Sequence, residues 1–318
     1  MNEQTSEHVS AVAPSGVARL IAHVKAMAPV RTAVVHPCDA LSLGGALDAR
    51  DAGIITPVLV APLAKLRAVA ADFGLDLGDS EIVDVPHSHA AAATAARLAG
   101  KGEVQALMKG SLHSDEYLGA ILAPEAGLRT ERRLTHCYIM QTASYPRPFI
   151  LTDAAINIAP SLEDKADIVR NAIDLAHVIG VPEPKVAILA AVETVNPRMR
   201  STLDAAALCK MADRGQITGG LVDGPLAFDN AVSPEAAQVK GIRSAVAGQA
   251  DVLVVPDLES GNMLAKQLEF LGGAESAGIV MGARVPIVLT SRSDSRTTRL
   301  ASCAIALMLA ERRRAAPP

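Results

Sequence analysis

Pro286-Ile-Val-Leu-Thr-Ser291-Arg292-Ser293-Asp294-Ser295-Arg296-Thr297-Thr298 is an apolar run that ends abruptly in hydroxyls, two arginines and one carboxylate. It reads as a buried parallel strand emptying into a turn ahead of an amphipathic helix, the unit from which open α/β folds are built. One hydroxyl suffices to cap a helix, and this turn carries several together with two guanidinium groups. Two uses therefore stand side by side: a helix cap, and a site where Arg292 and backbone N–H groups meet an anion.

Working outward, apolar runs recur at Thr32–His36, Thr56–Ala61, Glu81–Val85, Val104–Met108 and His136–Met140. They continue at Phe149–Thr152, Lys185–Ala190, Gly220–Asp223, Asp251–Pro256 and Gly278–Met281, before the run at Pro286. Alanine-rich segments with helical spacing lie between them, including Leu63–Phe73, Ala90–Leu98, Ser161–Ile179 and Ser201–Arg214. Ser161 and Asp164 have the spacing of a capping box. Strand and helix alternation predicts a parallel α/β architecture. Two prolines and an arginine in Ser144-Tyr-Pro-Arg-Pro148 suggest a domain boundary. A chain crossing there and returning near residue 293 gives a first domain of 1–147 plus 294–318 and a second of 148–293, with Ser291–Ser295 beside the cleft.

The chain has 318 residues, half of them apolar, yet only four Phe, three Tyr and no Trp, so its cores are aliphatic. A net charge of -4 and 2% aromatics offer neither a basic field nor stacking platforms, which argues against nucleic acid. The N-terminus is acidic where an export signal is basic, and Leu300–Ala310 is too short to span a bilayer, so a cytoplasmic protein without a membrane partner is expected. Cys38, Cys137, Cys209 and Cys303 lack any Cys-x-x-Cys pair and read as reduced thiols. His87 and His89 lack a carboxylate at metal-ligand spacing, His36-Pro-Cys38 reads as a packed strand end, and Arg312-Arg-Arg314 reads as a solvated helix end. No metal site is expected.

Polar residues gather at the expected strand ends, the usual ligand edge of open α/β sheets. Lys109-Gly-Ser111-Leu-His113-Ser114 could present N–H groups to phosphate or simply turn and cap. The same pair of alternatives holds for Asp153-Ala-Ala-Ile-Asn157, for Asp223-Gly-Pro225, where a rigid turn would hold the aspartate at the edge, and for Ser260-Gly261-Asn262 as a cap before Met263–Leu271.

In order along the chain, Lys-Gly-Ser-Leu-His-Ser (109–114), Gly-Leu-Arg-Thr (127–130), Thr-Asp-Ala-Ala-Ile-Asn-Ile-Ala-Pro (152–160) and Val-Glu-Thr-Val-Asn-Pro (192–197) are followed by Gly-Gly-Leu-Val-Asp-Gly-Pro-Leu (219–226), Ser-Gly-Asn (260–262) and Leu-Thr-Ser-Arg (289–292). Together they resemble the phosphate acetyltransferase and phosphate butyryltransferase family, closest to the butyryltransferase branch, over residues 30 to 310. The resemblance implies reversible transfer of a short acyl group, butyryl or acetyl, between coenzyme A and inorganic phosphate through a ternary complex. It also implies two three-layer α/β domains with a cleft between them, like the isocitrate and isopropylmalate dehydrogenases. A homodimer is implied, with coenzyme A as substrate and no permanently bound cofactor.

Under that resemblance Ser291 and Arg292 are catalytic, Ser291 bonding the reacting carbonyl or thiol, with Arg292 and Arg129 gripping phosphate. Ser111 and Asn157 are expected at the phosphoryl group, Asp223 orienting an arginine, and Gly261 and Asn262 near the substrate. Acetyltransferases of the family carry an acid seven positions after the serine, where this chain has Thr298. Asp294 is the nearest carboxylate, either as base toward the thiol or as cap of the last helix. Ser293-Asp294-Ser295 is similar to the run found in the butyryltransferase branch. Two alternatives remain: a metal- and NAD-dependent decarboxylating dehydrogenase of similar fold, for which Asp223, Asp229 and Asp257 are scattered, and a non-catalytic coenzyme A-binding protein.

Overall fold

The computed structural model describes residues 16–291 and 294–315; Arg292 and Ser293 lie outside them. The strands are β1 (Val30–Val35), β2 (Ile55–Ala61), β3 (Glu81–Asp84), β4 (Ala106–Lys109), β5 (Thr135–Gln141), β6 (Phe149–Thr152), β7 (Lys185–Leu189), β8 (Leu221–Leu226), β9 (Val252–Val254), β10 (Glu275–Met281) and β11 (Ile287–Val288). They form a single sheet of eleven in the order β3-β2-β1-β4-β11-β10-β5-β6-β9-β7-β8. Each apolar run read from the sequence has become one of them.

The sheet is mixed, which corrects the wholly parallel expectation. Strands β3, β2, β1, β4 and β11 are parallel, as are β6, β9, β7 and β8, but β10 is antiparallel to both β11 and β5, and β5 to β6. Loop length decides this. A parallel crossover needs about a dozen residues, and only residues 142–148 join β5 to β6 and 282–286 join β10 to β11; the β5–β10 pairing then sets the two hairpins side by side. The proline-rich stretch Ser144–Pro148 is thus the turn of a hairpin in which Cys137 faces Thr152. As a consequence the C-terminal ends of β1, β4 and β11 lie on one edge of the sheet and those of β6, β9, β7 and β8 on the other.

The helices are α1 (Gly16–His23), α2 (Ala40–Asp51), α3 (Leu63–Asp72), α4 (Ser88–Gly100), α5 (Ser114–Leu122), α6 (Leu162–Val178), α7 (Arg200–Asp213), α8 (Phe228–Val232), α9 (Pro234–Val239), α10 (Leu258–Phe270) and α11 (Arg296–Ala315). Ser161 and Asp164 do close a capping box at the start of α6. Helix α11 buries Leu300–Ala310 and packs on α1, α2, β10 and β11. Three aliphatic clusters cover the two faces of the sheet. No helix among the described residues is long and apolar enough to cross a membrane.

Two local expectations change. Helix α10 starts at Leu258, because Asp257 rather than Ser260 is the N-cap: its Oδ1 accepts the Ser260 N–H at 2.9 Å. Likewise Asp223-Gly-Pro225 is no turn, since β8 runs through it to Leu226. Proline is tolerated because β8 is an edge strand, and glycine is required because a Cβ on Gly224 would meet the Ile188 carbonyl oxygen at 2.7 Å.

Glycine at position 110 joins the loops after β1 and β4, for a Cβ there would lie 2.3 Å from the Val35 carbonyl oxygen. Gly110→Ala should therefore lower the free energy of unfolding in urea by about 1–3 kcal/mol. Gly44→Ala, inside α2 with nothing within 4 Å of the new methyl, should raise it by about 0.5–1 kcal/mol. Equal effects of the two changes would contradict this packing.

Candidate active site

The turn after β11 is closed by its own polar groups. Asp294 accepts the Ser291 N–H on Oδ2 at 2.7 Å and returns its own N–H to the Ser291 carbonyl at 3.2 Å. The next residue caps α11: Ser295 Oγ accepts the Thr298 N–H at 3.0 Å and meets the Thr298 hydroxyl at the same distance. Asp294 is thereby released from capping, and Thr298 is occupied by the cap. Burial raises the Asp294 carboxyl above its ordinary value; Glu269 adds to the rise, while the Ser291 N–H, Arg299 and Lys266 oppose it.

Beneath this turn lies a polar face that sequence reading missed. His136 and Tyr138 alternate with buried Cys137 and Ile139 along β5, so both project to one side, with ring centroids 4.3 Å apart. His136 is fully buried, neither ring nitrogen has a hydrogen bond of normal geometry, and burial pushes it down to about 4 against the pull of Asp153 and the adjacent Leu289 backbone. Tyr138 is raised by burial and then by Asp294, Glu269 and Asp153, which surround it. The period-two pairing of polar aromatics inside an apolar strand was the available signal.

Helix α10 roofs this face. Its first turn rests on the loop after β6: a Cβ on Gly261 would meet Val255 Cγ2 at 2.6 Å and the Asp153 carbonyl oxygen at 3.0 Å, and Asn262 Nδ2 donates to the Ala154 carbonyl at 3.1 Å. Farther along, Glu269 accepts from Ser276 Oγ at 2.5 Å, placing the helix's acidic end by Asp294. Gly261 and Asn262 thus dock the helix.

The loops that flank the turn hold themselves in place with the side chains expected to hold phosphate. Ser111 Oγ donates to the His36 carbonyl at 2.8 Å and accepts the Cys38 N–H at 3.1 Å. His36 sits at φ 53°, in the left-handed region that few residues other than glycine adopt, at the end of β1. In the loop after β6, buried Asp153 accepts the N–H groups of Ala155, Ile156 and Asn157. Asn157 donates from Nδ2 to the Leu134 carbonyl at 2.8 Å and to Asp153 at 2.5 Å, and accepts from Arg133 Nε at 2.6 Å. Ile156 and Leu289 join one apolar cluster with Leu112 and Tyr117, and buried His136 feels both Asp153 and the Leu289 backbone, so the loops after β6 and β11 approach each other although their strands end on opposite edges.

Two expected residues lie apart. Arg129 donates from Nε to the Leu122 carbonyl at 2.5 Å and lines a separate cavity with Arg132, Arg284, Arg312 and Arg313. Asp223, in β8, accepts the Gly224 N–H at 2.8 Å and meets no arginine among the described residues. The four cysteines are free, and burial pushes Cys137 and Cys303 up to about 12, as core thiols.

Residues 87–307 match the family model described as phosphate acetyl/butaryl transferase. The chain belongs to this family. A phosphate acetyltransferase of Rhizobium meliloti is 62% identical over 303 residues, covering 95% of this chain and 96% of that one. A phosphate butyryltransferase of Clostridium acetobutylicum is 42% identical over 291 residues, covering 92% and 97%. The crystal structure of a branched-chain phosphotransacylase from Enterococcus faecalis V583 has a TM-score of 0.76 and 29% identity, covering 88% of this chain and 99% of that one. Relatives thus carry either acyl name, and the fold of this chain is that of the phosphotransacylase.

His136 supplies a test of this geometry. Its ordinary value of 6.5 applies unfolded and about 4 folded, so the unfolded chain binds a proton first and stability falls as pH drops from about 6.5 towards 4. The loss attributable to His136 should be on the order of 3 kcal/mol. Urea denaturation of wild type and His136→Phe across that range should show a steeper fall for wild type; parallel curves would mean that the ring is solvated.

Proposed function

We propose that this chain is a phosphate acyltransferase that moves a short acyl group, acetyl or butyryl, reversibly between coenzyme A and inorganic phosphate. The observation that carries the chemistry is Asp294: a carboxylate lifted above its ordinary value by burial, held against Ser291 at a strand end and freed from helix capping by Ser295. In the direction of acyl-CoA formation Asp294 takes the proton of the thiol and the sulfur attacks the carbonyl carbon of the acyl phosphate. The C–S bond forms, and the bond from carbon to phosphate oxygen breaks. Ser291 donates a hydrogen bond to the oxygen on which charge develops, and Arg292 receives the leaving phosphate. In reverse, phosphate attacks the thioester and the proton returns to sulfur. No covalent enzyme intermediate is required, since proximity in a ternary complex suffices.

Ser111, Asn157, Gly261 and Asn262 serve this reaction by fixing the loops that border the substrate. The division into 1–147 with 294–318 and 148–293 belongs to the same proposal. So does a homodimer, for which Met263, Phe270 and Leu271 on and beside α10 offer an exposed apolar surface. Free cysteines suit a reducing cytoplasm. Coenzyme A enters as substrate, without a resident cofactor.

Coenzyme A release from acetyl-, propionyl- and butyryl-CoA should require phosphate; turnover without phosphate, or tight coenzyme A binding without turnover, would refute the proposal. Asp294→Asn should lower the rate at neutral pH at least about tenfold. Because the acid is raised, the wild-type rate should also fall on the acidic side as Asp294 takes up its proton, and the variant should lose that limb. An unchanged pH profile would reject Asp294 as the base.

A further inference from the structure

Helix α11 begins at the Ser291 turn and ends in three arginines, of which Arg312 and Arg313 line a cavity of about 1050 Å³. At 1.5 Å of rise per residue, Arg313 lies roughly 25 Å along the helix from its start at the Ser291 turn. The expected solvated helix end is corrected here: Arg313 is half-buried, its Nη1 is enclosed without a protein partner, and burial pulls the guanidinium down to about 10 despite Asp174. It remains protonated at neutral pH.

Five guanidinium groups face the space: Arg129, Arg132, Arg284, Arg312 and Arg313. Only two carboxylates, Glu131 and Asp174, line it with them, and Asp174 is already paired with Arg132. Val178, Met281 and Leu309 supply an apolar wall. The uncompensated positive charge calls for a multiply charged anion, guanidinium forks match phosphate oxygens, and the volume and apolar wall admit an organic group beside the phosphates.

We propose that this arginine-lined cavity binds a nucleoside triphosphate, distinct from the coenzyme A substrate, as an effector. A physical connection leads from it to the loop after β6. Arg132 and Asn171 both line the cavity; Asn171 Nδ2 donates to the Arg133 carbonyl at 3.0 Å, and Arg133 Nε donates to Asn157 Oδ1 at 2.6 Å. An anion that draws Arg132 from Asp174 therefore pulls on the segment that holds Asn157. The effector half of this proposal rests on acyl transfer as the activity; the binding half does not.

Calorimetry with ATP and with inorganic tripolyphosphate tests the binding half on wild type, Arg313→Met and Arg312→Ala. One ATP per chain should bind, weakened at 0.5 M salt by screening, undisplaced by coenzyme A, and retained in Ser291→Ala. Each arginine change should weaken it at least about tenfold, and the exposed Arg312 keeps the test valid if Arg313→Met fails to fold. Absence of binding at millimolar ATP, displacement by coenzyme A, or indifference to both arginine changes would overturn the site. For the effector half, ATP should change the phosphate KM or kcat of wild type and leave Arg312→Ala, whose basal rate is normal, unaffected. Bound ATP with unchanged kinetics would refute that half alone.

Discussion

Helix α10 can lie directly on the loop after β6 because Gly261 has no side chain, and the surroundings of Asp294 depend on that contact. With the first turn seated on Asp153 and Ala154, the far end carries Lys266 and Glu269 to Asp294 and encloses Tyr138 and His136 beneath. Without that approach the face would be wet, and burial is the leading cause of both the raised Asp294 and the lowered His136. A single close contact thus sets the low dielectric that lifts the Asp294 carboxyl above its ordinary value.

The reversal of strand direction between β11 and β6 sets the second constraint. It sends the ligand edges of the two parallel groups to opposite sides of the sheet, an arrangement that would separate them in a regular sheet. Strand β11 is only two residues long, however, and its end at Leu289 reaches the same cluster that receives Ile156 from the other edge. His136 fills the space between Asp153 and Leu289. Narrowness at this strand brings together loops that topology divides.

The strands were legible because buried runs bounded by polar turns leave little choice of structure, and Ser161 with Asp164 announced α6 by chemistry alone. The hairpins were not. Ser144–Pro148 carries the prolines of a boundary, and only the pairing of Cys137 with Thr152 reveals a turn. Ser111 and Asn157 were found as strand-end polar groups, but sequence cannot tell a side chain that binds phosphate from one that ties its own loop, since both need the same donors and acceptors. Asp294 and Ser295 posed that ambiguity one residue apart, and the three-residue spacing from Ser295 to the Thr298 N–H settled which one caps. His136 and Tyr138 escaped notice within an apolar strand.

The central claim, that burial under α10 tunes Asp294 for proton transfer, is tested most directly by its titration. Carboxyl carbon NMR of selectively labelled protein, with Asp294→Asn to assign the signal, should give a midpoint above the ordinary aspartate value of 3.8. A midpoint at or below it would show a solvated or ion-paired carboxylate and contradict the account.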